Sequence, residues 1–153
     1  MISINHKTFL DNRGSYTPIP LNILDKEWTQ CSISVNDEKF TFRGMHYQTD
    51  PPQEKYVKVI KGSIMDFAID LNTNELVYKM VGMNNAVYIP SDKSHGFLTL
   101  EPNTIVAYLV KGDYNPNAEH SVVWSSHEQL QKIISGIVGD NKLVISDKDK
   151  LGK

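Results

Sequence analysis

Cysteine is almost missing from this sequence: Cys31 is the single one in 153 residues. No intrachain disulfide can form, and a reducing, cytoplasmic setting is expected. Charge of one sign is also missing, since 16 Lys and Arg stand against 18 Asp and Glu. That balance gives no global attraction to nucleic acid or to an anionic membrane, so any anionic partner must be small and held by a local basic pocket. No apolar run approaches the roughly 20 residues that cross a bilayer. The N-terminal MISINHKTFLDNRG lacks the apolar core of a signal peptide. No HxH pair, HExxH, Cys/His cluster or GxSxG elbow occurs, which leaves neither a local metal-ligand motif nor a nucleophile motif.

What the sequence does contain is a series of short β-rich runs. KYVKVIKGSIMDFAIDL is divided by Gly62 and closed by the turn residues Asn72, Thr73 and Asn74. ELVYKMVG, NAVYIP, GFLTL and TIVAYLV follow, broken at Gly82, Pro90 and the Glu101-Pro102-Asn103 corner. This rhythm predicts an all-β sandwich or barrel. Only HEQLQKIISGIV, residues 127–138, has helical spacing: Leu130, Ile133, Ile134 and Ile137 can share one face and pack on the outside of the sheets. No linker or repeat interrupts residues 1–153, so one domain is expected. Ser146 to Lys153 reads on composition as a frayed tail.

Of five histidines, His6, His120 and His127 read as surface or hydrogen-bonded residues. His46 in FRGMHYQ and His95 in SHGF differ, because each sits in a β-rich run beside glycine and an aromatic residue and the two could meet inside a barrel. Acid–base chemistry suits them better than metal ligation, with Tyr108 and Lys55 as side chains able to supply a proton or stabilise an oxyanion. Taken by pattern alone, Tyr108 reads rather as a core aromatic whose hydroxyl finds a partner, and Lys55 as a solvated strand residue.

RGMHYQ (43–48), PPQEKYVKVIKGSIMDFAIDL (51–71), IPSDKSHGFLTL (89–100), YLVKGDYNPNAEHSVVW (108–124) and ISDKD (145–149), with DNRGSY (11–16), together resemble the dTDP-4-dehydrorhamnose 3,5-epimerase family. The resemblance implies a jelly-roll, cupin-type β-sandwich, to which the spacing of residues 127–138 adds a short C-terminal helix, together with a homodimer and an isomerase that needs neither metal nor cofactor. The implied substrate is a nucleotide-linked 4-keto-6-deoxy sugar, used in surface-polysaccharide biosynthesis. It further implies His46 as the base, Asp149 as its charge partner, Tyr108 as the proton donor on the opposite sugar face and Lys55 beside the keto oxygen. Arg13, Arg43 and Lys148 match groups that hold diphosphate or sugar, while Gln30, His95 and Glu119 match further pocket positions. Pro18 stands where members carry an acidic residue, and Ser32 where they carry Asn in Gln-x-Asn, so the resemblance fixes the catalytic set more firmly than the nucleotide. Epimerisation at one carbon only, a heptose substrate, sugar ketoisomerisation, a metal-dependent cupin and a non-catalytic sugar-nucleotide binder are the alternatives.

One geometric condition attaches to this set. Arg43 and His46 are three residues apart and would face opposite sides of a regular strand. Both can line one pocket only if the strand bulges near Gly44.

Overall fold

The computed structural model describes residues 1–5, 7, 9–11, 14–16 and 27–152. Its frame is two facing, mainly antiparallel sheets. The first holds β1 (Ile2–Asn5), β9 (Asn85–Ile89), β6 (Glu54–Lys61), β11 (Thr104–Lys111) and β4 (Gln30–Asn36), in that spatial order. The second runs β12 (Glu119–Ser121), β5 (Thr41–Gln48), β10 (Lys93–Thr99), β7 (Ile64–Asp70), β8 (Leu76–Val81), and β13 (Val144–Ile145) adds to β5 in parallel. A short hairpin pairs β2 (Phe9–Asp11) with β3 (Gly14–Tyr16).

Period-two alternation sorts the side chains into layers. In β6, Val57 and Val59 join Ile64, Ala68, Val87, Ile89, Phe97 and Val106 between the sheets, while the intervening Tyr56 packs with Ala86 on the outer face. In β7, Phe67 and Ile69 point the other way, under the helix α1 (Glu128–Val138). The helix covers the outer face of the second sheet with Leu130, Ile134 and Val138, and Ile133 and Ile137 border the same cluster. His127 caps it: Nδ1 accepts from the Leu130 N–H at 3.3 Å and Nε2 donates to the Asn74 carbonyl at 3.1 Å. This histidine is structural, as its sequence context suggests.

The C-terminal segment departs from its polar composition. Rather than fraying, β13 docks on β5 and the short helix α2 (Asp147–Leu151) follows, with Ser146 Oγ accepting from the Asp149 N–H at 3.2 Å. Pairing partners distant in sequence, invisible to composition, tie it down. Among the described residues no helix is long and apolar enough to cross a membrane.

Candidate active site

A cavity of about 430 Å³ opens at one end of the space between the sheets. The second sheet contributes Arg43, His46 and His95, and the first contributes Gln30, Ser34, Lys55 and Tyr108. Ser146, Lys148 and Asp149 close it from the C-terminal segment.

The condition on Arg43 and His46 is met by an irregularity in β5. Its register with β10 pairs His95 with His46 and Phe97 with Arg43, so three steps on β5 answer two on β10. The extra residue falls at Gly44 and Met45, which puts Met45 in the cluster under α1 and leaves both Arg43 and His46 on the cavity side. Glycine is required at this point. Gly44 has φ of 134°, and a Cβ there would lie 2.5 Å from Gly96 Cα.

Asp149 reaches the cavity wall with two anchors: Oδ1 lies 2.7 Å from His46 Nε2, and Oδ2 accepts from the Gly44 N–H at 3.1 Å. Burial favours its neutral form, but the His46 contact, the Gly44 amide and the Lys148 charge outweigh this and hold its carboxyl below the ordinary range. An ionised carboxylate only accepts hydrogen bonds. His46 Nε2 therefore carries the hydrogen, and Nδ1 keeps a lone pair able to take a proton. On the facing sheet, burial raises Tyr108 above the usual phenol value against the opposing influence of Ser34 and Arg43. The hydroxyl is thus held as a proton carrier. Burial also lowers Lys55, although the carboxylates of Glu119 and Asp66 act in the other direction. An ammonium under such desolvation responds strongly to a new negative charge beside it.

A second imidazole–carboxylate pair lies deeper, with His95 Nε2 at 2.8 Å from Asp66 Oδ2 and both residues buried. Burial raises the Asp66 carboxyl despite the opposing charges of His95 and Lys55. At the mouth, Lys148 Nζ donates to Glu119 Oε2 at 2.7 Å, and the Tyr114 hydroxyl donates to the same oxygen at 3.4 Å. Burial raises Glu119, but Lys148, His46 and Tyr114 prevail and leave it below its ordinary value. Among the described residues no three His, Cys, Asp or Glu side chains converge as a metal-ligand set.

The cavity lining leaves out Cys31, which is exposed. Its parts are an oriented imidazole, a facing phenol, a desolvated ammonium and cationic groups at the rim. The family model for dTDP-4-dehydrorhamnose 3,5-epimerase matches residues 1–153. The chain belongs to this family. Members of the dTDP-4-dehydrorhamnose 3,5-epimerase family are epimerases, a class of isomerase, acting on dTDP-sugars. The dTDP-4-dehydrorhamnose 3,5-epimerase of Methanothermobacter thermautotrophicus is 34% identical over 97% of this chain and 86% of its own length. The corresponding protein of Mycobacterium tuberculosis is 31% identical over 65% of this chain, which spans about half (52%) of that relative. Among solved structures, the Bacillus anthracis enzyme with TDP and PPi bound superposes with TM-score 0.84 at 26% identity, over 99% of this chain and 91% of that one. The Legionella pneumophila enzyme in complex with dTDP-4-keto-L-rhamnose gives TM-score 0.80 at 25% identity, over 99% and 85%. The all-β, jelly-roll sandwich expected for the family is the fold observed.

The cavity gathers most of the residues expected from the sequence. His46, Lys55, Tyr108, Asp149, Arg43, Gln30, His95 and Lys148 all line it, and Glu119 is attached through Lys148. Arg13 and Pro18 lie outside the described residues, as does His6. His120 stays peripheral, exposed and stacked near Tyr47 with ring centroids 5.2 Å apart. The sequence reading missed Asp66, Asn36 and Ser34. Asp66 had a signal, since it is the acidic member of an inward-facing row whose neighbours Ile64 and Ala68 are apolar. Ser34 and Asn36 had none, being small polar residues on an edge strand.

Proposed function

We propose that this protein epimerises a dTDP-linked 4-keto-6-deoxyhexose at the carbons flanking the ketone, converting dTDP-4-keto-6-deoxyglucose to dTDP-4-ketorhamnose without a cofactor. The observation that carries the reading is the His46–Asp149 pair, 2.7 Å apart, on one wall of a cavity whose facing sheet supplies Tyr108 and Lys55. The ketone makes the neighbouring C–H bonds acidic enough for an imidazole to act on. His46 takes the proton, the electron pair moves into the carbonyl, and the enolate oxygen gains its charge beside Lys55. Tyr108 then delivers its phenolic proton to the opposite face of the same carbon, and the ketone reforms. Solvent returns a proton to Tyr108 and removes one from His46, closing the cycle. Asp149 orients the ring and stabilises the imidazolium that forms on abstraction. Arg43 and Lys148 suit the diphosphate, the first as a fork of N–H donors and the second as a point charge.

A homodimer accompanies this reading. Among the described residues strand β4 ends its sheet, and its Ile33 and Val35 are 67% and 58% exposed, an apolar edge that a second copy would cover. Light scattering at two protein concentrations checks it. The expected setting is cytoplasmic, where a lone exposed thiol such as Cys31 stays reduced. The role in supplying surface polysaccharide follows from the product.

The test of function is incubation with dTDP-4-keto-6-deoxyglucose in heavy water, followed by mass and proton spectra. Deuterium at both C3 and C5 with inverted configuration is the expected result. Deuterium at one carbon only would make the protein a single-centre epimerase, and an unchanged sugar would leave a binding protein.

A further inference from the structure

A chain of four side chains runs from the cavity rim to the phenol. Arg43 Nε donates to Asn36 Oδ1 at 2.8 Å. The amide of Asn36, almost fully buried, donates from Nδ2 to the Thr104 carbonyl at 3.1 Å and to Ser34 Oγ at 3.4 Å. Ser34 Oγ in turn lies 3.1 Å from the Tyr108 hydroxyl.

The polarity of this chain is fixed at both ends of Asn36. A guanidinium N–H can only donate and a backbone carbonyl can only accept, so Oδ1 must face Arg43 and Nδ2 must face Thr104 and Ser34. Ser34 Oγ then receives a hydrogen from Asn36, and its own hydrogen remains to be placed. If Tyr108 donated to Ser34, its proton would point at the strand and away from the sugar. If Ser34 donates to Tyr108, every hydrogen runs in one direction, from Arg43 through Asn36 and Ser34 to the phenolic oxygen, and the Tyr108 hydrogen is left facing the cavity.

We infer that Ser34 and Asn36 are positioning residues that aim the Tyr108 proton at the substrate and stabilise the tyrosinate left when it is delivered. This rests on the reading of Tyr108 as the proton donor. The packing agrees with it: the Tyr108 ring is steadied by Phe97, with centroids 6.1 Å apart, which leaves rotation of the hydroxyl as the freedom Ser34 must remove. Ser34 and Arg43 also both favour the ionised phenol against burial. Because Arg43 begins the chain, an anion held there is connected by hydrogen bonds to the group that finishes the reaction.

The experiment measures net inversion and solvent-deuterium entry together, in one sample, for Ser34→Ala, Ser34→Thr, Tyr108→Phe and the double variant Ser34→Ala/Tyr108→Phe. The ratio of inversion to exchange is independent of how much protein is folded. A hydrogen bond to a developing charge sets the size of the effect, so Ser34→Ala should lower that ratio roughly tenfold to a hundredfold, with KM unchanged. Ser34→Thr, which keeps the hydroxyl, should restore it. In the Tyr108→Phe background, Ser34→Ala should have no further effect, because the two act as one unit. Equal loss of inversion and exchange in Ser34→Ala, or a full additional loss in the double variant, would overturn the inference by showing a general structural role. A collapse in Tyr108→Phe with wild-type behaviour in Ser34→Ala overturns this inference alone, whereas wild-type inversion by Tyr108→Phe overturns the assignment of the acid beneath it.

Discussion

The space between the two sheets is filled in two different ways along the same strands. At one end Val57 on β6, Val106 on β11 and Phe97 on β10 are buried and apolar. Two residues further along each strand, on the same face, stand Lys55, Tyr108 and His95, which line the cavity. A two-residue step is about 7 Å, so the change from sealed core to ionisable cavity lining is made within one repeat of the pleat. The backbone is indifferent to this change. Pairing and alternation are continuous through both ends, and residue type alone turns a packing position into a chemical one. Apolar positions supply the burial that holds the sheets together, while the ionisable end carries desolvated charge that favours neither sheet's stability.

The largest effect that divides the two ends is expected at Lys55. Lys55→Met should lower kcat by about 10²–10³, the loss typical of one group stabilising an oxyanion. It should also raise the melting temperature at neutral pH. Burial holds Lys55 below its ordinary value of 10.5, so between the folded value and 10.5 the unfolded chain binds more protons and stability climbs with pH. The cost of the lysine is greatest below that window. The thermal advantage of Lys55→Met should therefore shrink as the pH is raised toward 10.5, which a series of melting curves will show.

At the apolar end the reverse is expected. Ile64, fully buried between the sheets, should cost about 2–5 kcal/mol on replacement by alanine, read by urea unfolding. Turnover per folded molecule should stay at the wild-type level well below the transition. An equal fall in kcat would show that the two ends are mechanically coupled. Asp149→Asn comes next: with the charge beside His46 removed and the shape kept, kcat should fall about tenfold to a hundredfold at unchanged KM. Wild-type turnover across the pH range would reduce the C-terminal segment to a tether. The smallest effect is expected at the rim, where Arg43→Ala should raise KM about tenfold, since a diphosphate is held alike in ground and transition states, with a smaller fall in kcat from loss of the link to Asn36.

Alternation made the sandwich legible in the sequence, because it depends only on neighbours two residues apart. The helix was legible from an equally local pattern: of Leu130, Ile133, Ile134 and Ile137, expected on one face, Leu130 and Ile134 are buried and Ile133 and Ile137 border the same cluster, which Val138 joins. Even the irregularity in β5 could be demanded in advance, since Arg43 and His46 cannot share a face without it. Composition misled at Ser146 to Lys153, where polar residues read as a loose end. Residues 146–152 of this stretch are described, and the contacts that hold them reach back 103 residues to His46 and 105 to Gly44, pairings that no local pattern encodes. Only the ordered likeness to a family brought Asp149 into the site. Asn36 and Ser34 went unseen because their importance lies in the side chain each one meets, Arg43 and Tyr108 in turn.

In the proposed mechanism the two sheets contribute separately, His46 from one removing the proton and Tyr108 from the other returning it. The most direct measurement sets His46→Ala beside Tyr108→Phe, each incubated with dTDP-4-keto-6-deoxyglucose in heavy water, with deuterium content and sugar configuration read from the same sample. Tyr108→Phe should still place deuterium in the sugar, because reversible abstraction by His46 returns a solvent-derived proton to the original face, while inversion collapses. His46→Ala should do neither. Inversion by Tyr108→Phe at the wild-type rate, or deuterium entry with His46→Ala, would contradict the division of labour between the sheets.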